Sequence, residues 1–369
     1  MKILHVTDGS IYNYDGISTY INELLECAFA RNAQSLIFAT VPLNPAKLRK
    51  INHKAAVKEF KNLKIFSSDK FNFSLPRGMK KAMDEFKPDL VWIHSIGPLG
   101  LRAARLSKNK YTVIYTKHCF DGDLWCNHLR IRTGFKWFYQ IAAILVERMV
   151  LKYCDAAIYH FNNTEKILSN KFFCKFKHMP PPLNEKFVNE KSYRSESHDD
   201  GIITIGFCGR LDPEKGIEYM FSAADIYQKK YNKKNIRLML IGEGSAAEAI
   251  VSEYPHINVT ITGFVDNVVP YLDQLDAFVL ASKTETTSLS SLEAYSRGLP
   301  IFSTPVGFLG QNADKYPHIY NFNSAEELAS LINEVLNIKE ITLGPAAVRL
   351  DSPIITFSEL HELVVSECT

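Results

Sequence analysis

Short apolar runs rich in valine and isoleucine alternate along this chain with longer amphipathic stretches. That rhythm predicts parallel strands covered by helices on both faces of a sheet. In the first half the strands fall at 3–7, 36–40, 90–94, 113–117 and 156–160. The run Met179-Pro-Pro-Pro182 cannot lie inside a helix and leads into 189–201, a charged stretch almost without apolar residues, which marks a domain boundary. The alternation then restarts, with strands at 202–208, 237–241, 259–262, 277–280 and 301–303. The expectation is a first domain over 1–183 and a second over 184–355, both doubly wound and facing a central cleft. The segment 356–369 follows Pro353 and opens with an amphipathic helix over 356–367, which either packs on its own domain or returns to the first. There is no internal repeat beyond the shared rhythm, and no low-complexity tract.

Composition narrows this further. The 369 residues are 46% hydrophobic and 22% charged, the usage of a folded globular chain of two domains, which excludes a tail or a binding peptide. The net charge of +3 hides an asymmetry: residues 1–195 carry 31 Lys and Arg against 16 Asp and Glu, and the remainder 12 against 24. A basic front half suits an anionic partner, or is simply a solvated face. The seven cysteines are scattered and odd in number, and the first residues read as a buried strand, so a cytoplasmic location is expected. No stretch approaches the roughly 20 apolar residues needed to span a bilayer. The nearest, 137–146, is bounded by Lys136 and Glu147, so any contact with a membrane would be peripheral.

The stretch from Ile205 to Ile217 is a buried strand that stops at Gly209, turns through Arg210-Leu-Asp-Pro-Glu-Lys215 and opens a helix near Gly216. Helix N-termini attract anions, and Arg210 and Lys215 add two full charges, so a diphosphate site fits here. Neither a Walker loop nor a Gly-x-Gly-x-x-Gly fingerprint follows any predicted strand, which weakens nucleotide hydrolase and dehydrogenase readings. A second cluster, 282–300, places Glu285 in a loop and Glu293 on a helix. Carboxylates accept well from paired sugar hydroxyls, while the amides of Thr287, Ser288 and Leu289 suit phosphate. The alternative is a Ser/Thr-capped helix start with Glu285 in its first turn.

As an ordered pair, the two clusters resemble the donor domain of the glycosyltransferases of family 4, the retaining group 1 enzymes of GT-B fold. The family pattern Gly-Arg-Leu-x-x-x-Lys-Gly followed by Glu-x7-Glu reads here as Gly209-Arg210-Leu211, Lys215-Gly216, Glu285 and Glu293. Leu240 to Gly244 resembles the family's Gly-x-Gly turn, Thr262-Gly263-Phe264-Val265 its strand end near the base, and Gly298-Leu-Pro300 with Pro305-Val-Gly307 the segment closing the domain. In the first half, Asp15-Gly16-Ile17 resembles the glycine loop that reaches the donor phosphates, and His118 sits where the family places a histidine beside the transferred sugar. Glu147 to Asp155 resembles the helix and strand before the linker.

The chain departs from the family in three places. Thr286-Thr287-Ser288 replaces Gly-Phe-Gly after the first Glu, a single Gly16 replaces Gly-Gly, and an Asn-Gly is missing near Asn184. Lost glycines limit φ and crowd the sugar, so they bear on sugar identity.

The resemblance implies a metal-independent hexosyltransferase that moves a sugar with retention from a nucleotide diphosphate, UDP being the expected base carrier, with no cofactor. Arg210 and Lys215 would stabilise the departing diphosphate, Glu285 the sugar hydroxyls, Glu293 the ribose, and His118 the transferred sugar. Gly16, Gly209, Gly263, Phe264, Thr287, Ser288 and Leu289 would complete the donor site.

Competing readings are a sugar-nucleotide epimerase of the same fold, a phosphorylase, for which no pyridoxal-phosphate lysine motif is visible, and a scaffold without catalysis. His118, Cys119, Cys126 and His128 are potential zinc ligands, but their spacing fits no standard site. Asp121-Gly-Asp123 resembles the Asp-x-Asp of single-domain metal-dependent transferases, against which two α/β halves speak. Lys47-Leu-Arg-Lys50 to Lys64, and Leu129-Arg-Ile-Arg132 with Phe135, Trp137 and Phe138, mix cations with apolar groups as peripheral membrane surfaces do. The expected acceptor is accordingly a lipid-linked glycan, lipopolysaccharide or capsular or exopolysaccharide at the cytoplasmic face of the inner membrane. Nucleic acid is not expected, since no recognition fold accompanies the charge.

Overall fold

The computed structural model describes residues 1–12, 16–41, 55–63, 73–74, 76–118, 136–160, 174–179, 181–189, 201–233, 235–336 and 355–366. Asp15, Cys119, Asp121, Asp123, Cys126, His128, Phe135 and the basic positions 47–50, 64 and 129–132 lie outside the described residues. Two compact units divide the chain, Met1–Pro182 with Ile355–Thr369 and Leu183–Ile354.

In the first unit the strands are β1 (Lys2–Val6), β2 (Gln34–Thr40), β3 (Ala56–Phe60), a small antiparallel pair β4 (Asn62–Leu63) and β5 (Phe73–Ser74), β6 (Leu90–Ile93), β7 (Thr112–Lys117), β8 (Ala156–Tyr159) and β9 (Lys175–His178). Seven of them form a parallel sheet in the order β3-β2-β1-β6-β7-β8-β9. All four residues of β6 are buried because both faces are covered. Leu90 and Trp92 enter a core with Ile3, Tyr20, Leu24 and Leu360, while Val91 and Ile93 enter one with Leu4, Val6, Leu99 and Ala103. This is why central parallel strands read as unbroken apolar runs.

The C-terminal helix Phe357–Ser366 packs on the helix Gly16–Ala30 and buries Phe357, Leu360 and Val364, a single face at helical spacing. Each such side chain contributes about 1.5–3 kcal/mol when buried. The exposed Arg31–Glu362 pair at 2.7 Å adds little to that.

After β10 (Pro182–Leu183), the second unit has β11 (Ile203–Cys208), β12 (Ile236–Ile241), β13 (Asn258–Gly263), β14 (Ala277–Leu280), β15 (Ile301–Ser303) and β16 (Ile319–Asn321). They form a parallel sheet in the order β13-β12-β11-β14-β15-β16. Leu238 and Leu240 of β12 pack with Ile217 and Phe221 on one side, and Met239 and Ile241 with Leu292 and Tyr295 on the other. Leu183 and Phe187 are buried in this second core. For that reason the division between the units falls at Pro182/Leu183, ahead of the polar stretch 189–201.

Every strand expected from the pattern is present within two residues, with 277–280 and 301–303 matched at both ends. Within the two large sheets the pattern missed β3, β9 and β16, which all lie at sheet edges, and outside them it missed the two-residue strands β4, β5 and β10. Lys58 and Glu59 in β3, and Lys175 and Lys177 in β9, break the apolar run, because an edge strand need not be buried on both faces. In both sheets the strand order reverses, between β1 and β6 and between β11 and β14. Ligands of such sheets bind beyond the C-terminal strand ends at that point.

Candidate active site

In the second unit, both motif clusters leave the sheet at the reversal point, one from β11 and one from β14. Beyond β11 the chain turns through Arg210 and a buried Leu211 into one 3-10 turn, Pro213–Lys215, then Gly216 and the helix Ile217–Tyr231. Gly216 has φ 65°, and a Cβ there would lie 2.0 Å from the carbonyl oxygen of Ala281, just past β14. Only glycine lets the two loops approach this closely. Gly242, after β12, is under the same constraint, since its Cβ would lie 2.0 Å from the Gly209 oxygen.

This close approach brings Lys215 to Glu285. Lys215 Nζ donates to Glu285 Oε1 at 2.6 Å, and Ser282 Oγ donates to the same oxygen at 3.0 Å. Arg210 is half exposed and is held by Asp212 and, at 2.7 Å, by Glu214. Both cations therefore have carboxylate partners, which an entering anion would have to displace. At the solvent-exposed Arg210 that exchange costs little.

Glu285 lies in a loop, and the following helix, Leu289–Ser296, begins four residues later; the alternative that puts Glu285 in its first turn does not occur. The carbonyls of Glu285 and Thr287 accept from the amides of Gly307 (3.3 Å) and Phe308 (3.2 Å). Ser288 takes the left-handed conformation (φ 58°, ψ 83°), so the turn forms even though the chain has serine there. The Ser288 side chain does not cap the helix; its carbonyl accepts from Ser291 Oγ at 2.9 Å. The amides of Thr287, Ser288 and Leu289 stand at this N-terminus. Glu293 is half-buried one turn on, near Cys208 at the end of β11. Burial, and secondarily the Glu293 charge, push the Cys208 thiol well up. Gly263 bridges Gly242 at the end of β13, and Phe264 beside it is exposed. Arg210, Lys215, Glu285, Glu293, Thr287 to Leu289, Gly209, Gly263 and Phe264 thus share the C-terminal edge of one sheet.

In the first unit Gly16 opens the helix Gly16–Ala30, and a Cβ there would meet none of the described residues within 4 Å. Among the described residues, no contact demands glycine at that position. His118 follows β7 and is half-buried, its Nε2 lying 3.1 Å from His94 Nδ1. Burial first, and His160 second, lower its pKa to about 3, so it is neutral at pH 7. Asp8, after β1, accepts from Ser95 Oγ (2.7 Å) and from the amides of Leu99 (2.8 Å) and Gly100 (3.2 Å), capping the helix Pro98–Ser107 from a distant strand. Burial raises its carboxyl, and these hydrogen bonds oppose the rise.

Sequence reasoning singled out His118 and missed His5, His94 and His160. The signal was present: Trp92 and His94, Thr116 and His118, and Ile158 and His160 are two apart, so each histidine continues one face of its strand beyond the apolar part. Among the described residues, no group of three His, Cys, Asp or Glu side chains is placed to hold a metal ion.

Residues 202–337 match the family described as Glycosyl transferases group 1, and residues 14–181 match Glycosyltransferase Family 4. A 41.2 kDa protein in the cps region of Klebsiella pneumoniae is 26% identical over 215 residues, which are 55% of each chain. The alpha-monoglucosyldiacylglycerol synthase of Acholeplasma laidlawii is 28% identical over 243 residues, 60% of each chain. This chain thus spans 55% and 60% of the length of these curated relatives. The Anabaena protein HepE, solved in complex with UDP and glucose, superposes with a TM-score of 0.72 at 15% identity, over 100% of this chain and 99% of that one. At that identity the likeness shows a shared fold, the GT-B arrangement of two parallel-sheet α/β domains.

Proposed function

The chain belongs to the glycosyl transferases of group 1, family 4, and from that premise we propose that it moves a hexose-type sugar, with retention and without a metal, from a UDP-sugar to a glycan or glycolipid acceptor. The observation that carries the reading is the 2.6 Å contact of Lys215 with Glu285, which joins the two motif clusters in one place. In this mechanism the bond from the anomeric carbon to the diphosphate breaks. The acceptor oxygen bonds to that carbon on the same face, and its proton passes to the leaving phosphate oxygen. Negative charge grows on the diphosphate as this happens, and Arg210, Lys215 and the amides of Thr287 to Leu289 stabilise it. Once the diphosphate has drawn Lys215 away, Glu285 orients the sugar hydroxyls, while Glu293 holds the ribose. A neutral His118 supports the transferred sugar as a hydrogen-bonding group and carries no charge. The UDP carrier is supported by the complex of HepE with UDP and glucose.

A lipid-linked or polysaccharide acceptor at the cytoplasmic face of the inner membrane belongs to the same proposal. On the helix Lys136–Leu151, Trp137, Ile141, Leu145 and Met149 recur every four residues and are 61%, 48%, 52% and 42% exposed, with Phe138 beside them at 56%. The helix's one carboxylate, Glu147, is turned inward. The adjacent helix Pro98–Ser107 and the residue after it expose Arg102, Arg105 and Lys108. An exposed apolar stripe on a helix that packs beside a cation-bearing one suits an anionic lipid surface. No helix among the described residues is long and apolar enough to cross a membrane. The relative that makes a glucosyldiacylglycerol, by its name, agrees with a lipid acceptor.

The test is calorimetric titration with UDP, GDP and ADP in EDTA, repeated on Arg210→Ala. Micromolar binding of UDP that the variant loses is the expected result. Preference for another nucleotide would replace the base, and binding only after a divalent metal is restored would overturn the metal-free reading. An absence of binding under both conditions would favour a scaffold.

A further inference from the structure

Four neighbouring strands of the first sheet, β1, β6, β7 and β8, carry a histidine on the same face, at or just past their C-terminal ends: His5, His94, His118 and His160. Three of them form a hydrogen-bonded ribbon. His5 Nδ1 lies 3.2 Å from His94 Nε2, and His94 Nδ1 lies 3.1 Å from His118 Nε2. Their rings are within 14° and 24° of parallel. Trp92, within 20° of the His94 ring plane, is itself fixed by donating to Thr116 Oγ1 at 2.8 Å. The Tyr20 ring meets His118 edge-on at 4.5 Å, and its hydroxyl lies 2.9 Å from His160 Nε2. His160 Nδ1 faces the carbonyl of Met179 at 3.1 Å; because a carbonyl only accepts, His160 carries its proton on Nδ1 and accepts from Tyr20.

Burial keeps His94 and His118 neutral at pH 7. A neutral imidazole has one N–H and one lone pair, and His94 has both nitrogens engaged, so it donates on one side and accepts on the other. The proton positions along the ribbon are then a single choice. If His94 donates to His118, His118 holds its own proton on Nδ1; if His118 donates, its Nδ1 is left as the acceptor.

We propose that His94 is a positioning residue for His118: it holds the imidazole in one plane and, through His5, in one tautomer. This rests on the reading of His118 as the group that supports the transferred sugar. Any coupling between sugar and ribbon would run through that one nitrogen.

The experiment is nitrogen-15 NMR of histidine-labelled protein, with thermal unfolding and UDP-glucose hydrolysis followed in parallel, for His94→Gln and His94→Asn. Asparagine places its amide where Nδ1 stood and meets His118 as donor or acceptor. Glutamine reaches the place of Nε2 and keeps only the contact to His5. The expected result is a single His118 tautomer in the unaltered protein, averaged nitrogen signals in the folded His94→Gln variant, and hydrolysis at least tenfold slower there with KM within twofold. His94→Asn should stay within about threefold of the unaltered rate. An unchanged His118 signature in His94→Gln overturns the proposal, as do equal losses in both variants that track a fall in Tm. If the unaltered protein hydrolyses no UDP-glucose, that counts against the choice of donor, and the NMR signature alone decides the role of His94. If His118→Ala keeps full turnover, it is the assignment of His118 that fails.

Discussion

Lys215 and Glu285, separated by 70 positions in sequence, meet at 2.6 Å over the reversal point of the second sheet. Glu285 keeps the lysine at the reversal point until a bound diphosphate draws it across, so its charge already faces the diphosphate when the leaving group forms. Lys215→Ala should therefore lower kcat by about a hundredfold to a thousandfold, the usual effect of removing one preorganised donor. UDP affinity should fall by a smaller factor. Steady-state kinetics alongside calorimetry separate the two, and an equal loss in both would make Lys215 a binding group only.

Lys117 and Glu147 form a buried pair, with both carboxylate oxygens 2.6 Å from Nζ and Tyr115 donating at 3.3 Å. Replacing one partner strands the other charge in the core, a cost of about 3–5 kcal/mol. Lys117→Met should show that loss in urea unfolding. The double variant Lys117→Met/Glu147→Leu should recover most of it; if it does not, the pair acts through packing and not through charge.

His118 and His361 have pKa values lowered to about 3 and about 4, both chiefly by burial, and His94 is lowered in the same direction. These groups are neutral in the folded chain and take up protons on unfolding once the pH is below their unfolded value. Their contribution to stability is complete above about pH 6.5 and is lost as pH falls toward the folded values, at up to about 1.4 kcal/mol per pH unit for each. Urea midpoints measured from pH 7.5 to 4.5 should drop steadily. A flat profile over that range would mean that the histidines already titrate in the folded state.

Ser288 occupies the left-handed region at φ 58°, where a side chain costs energy that glycine avoids. Ser288→Gly also frees the unfolded chain, which offsets part of the gain. The net expectation is a stabilisation of about 0.5 kcal/mol, with the nucleotide site intact. A clear loss of stability would point to a role for the serine side chain in holding the turn.

The stripe on the helix Lys136–Leu151 predicts retention on vesicles of phosphatidylglycerol and phosphatidylcholine at low salt, weakened by added salt. Ile141→Asp with Leu145→Asp should abolish retention without altering UDP binding, because both side chains are already exposed. Failure of the unaltered protein to sediment with such vesicles would remove the membrane from the proposed function.

The fold was legible because the central strands must be apolar on both faces, and β6 or β14 could hardly read otherwise. The edge strands β3, β9 and β16 were not, since tolerance of lysine, glutamate and asparagine erases the run that marks a strand. At the donor-side cluster, residue type and order named Arg210, Lys215 and Glu285. Their arrangement depends on Gly216 admitting the Ala281 carbonyl, a relation between loops that no local pattern records. The spacing of two placed His94 and His118 each on one face of its strand, but their alignment with His5 into a ribbon rests on the register of three strands, which no local pattern records.

The edge strand β9 carries a further consequence. Among the described residues the first sheet ends at β9, an edge that can template another copy of the same chain, and Lys175-Phe-Lys-His178 sets lysines at alternate positions along it. A second copy adding there would bring like charges together on every approach. The cations that obscured this strand in the sequence thus work against edge-to-edge addition of a second copy.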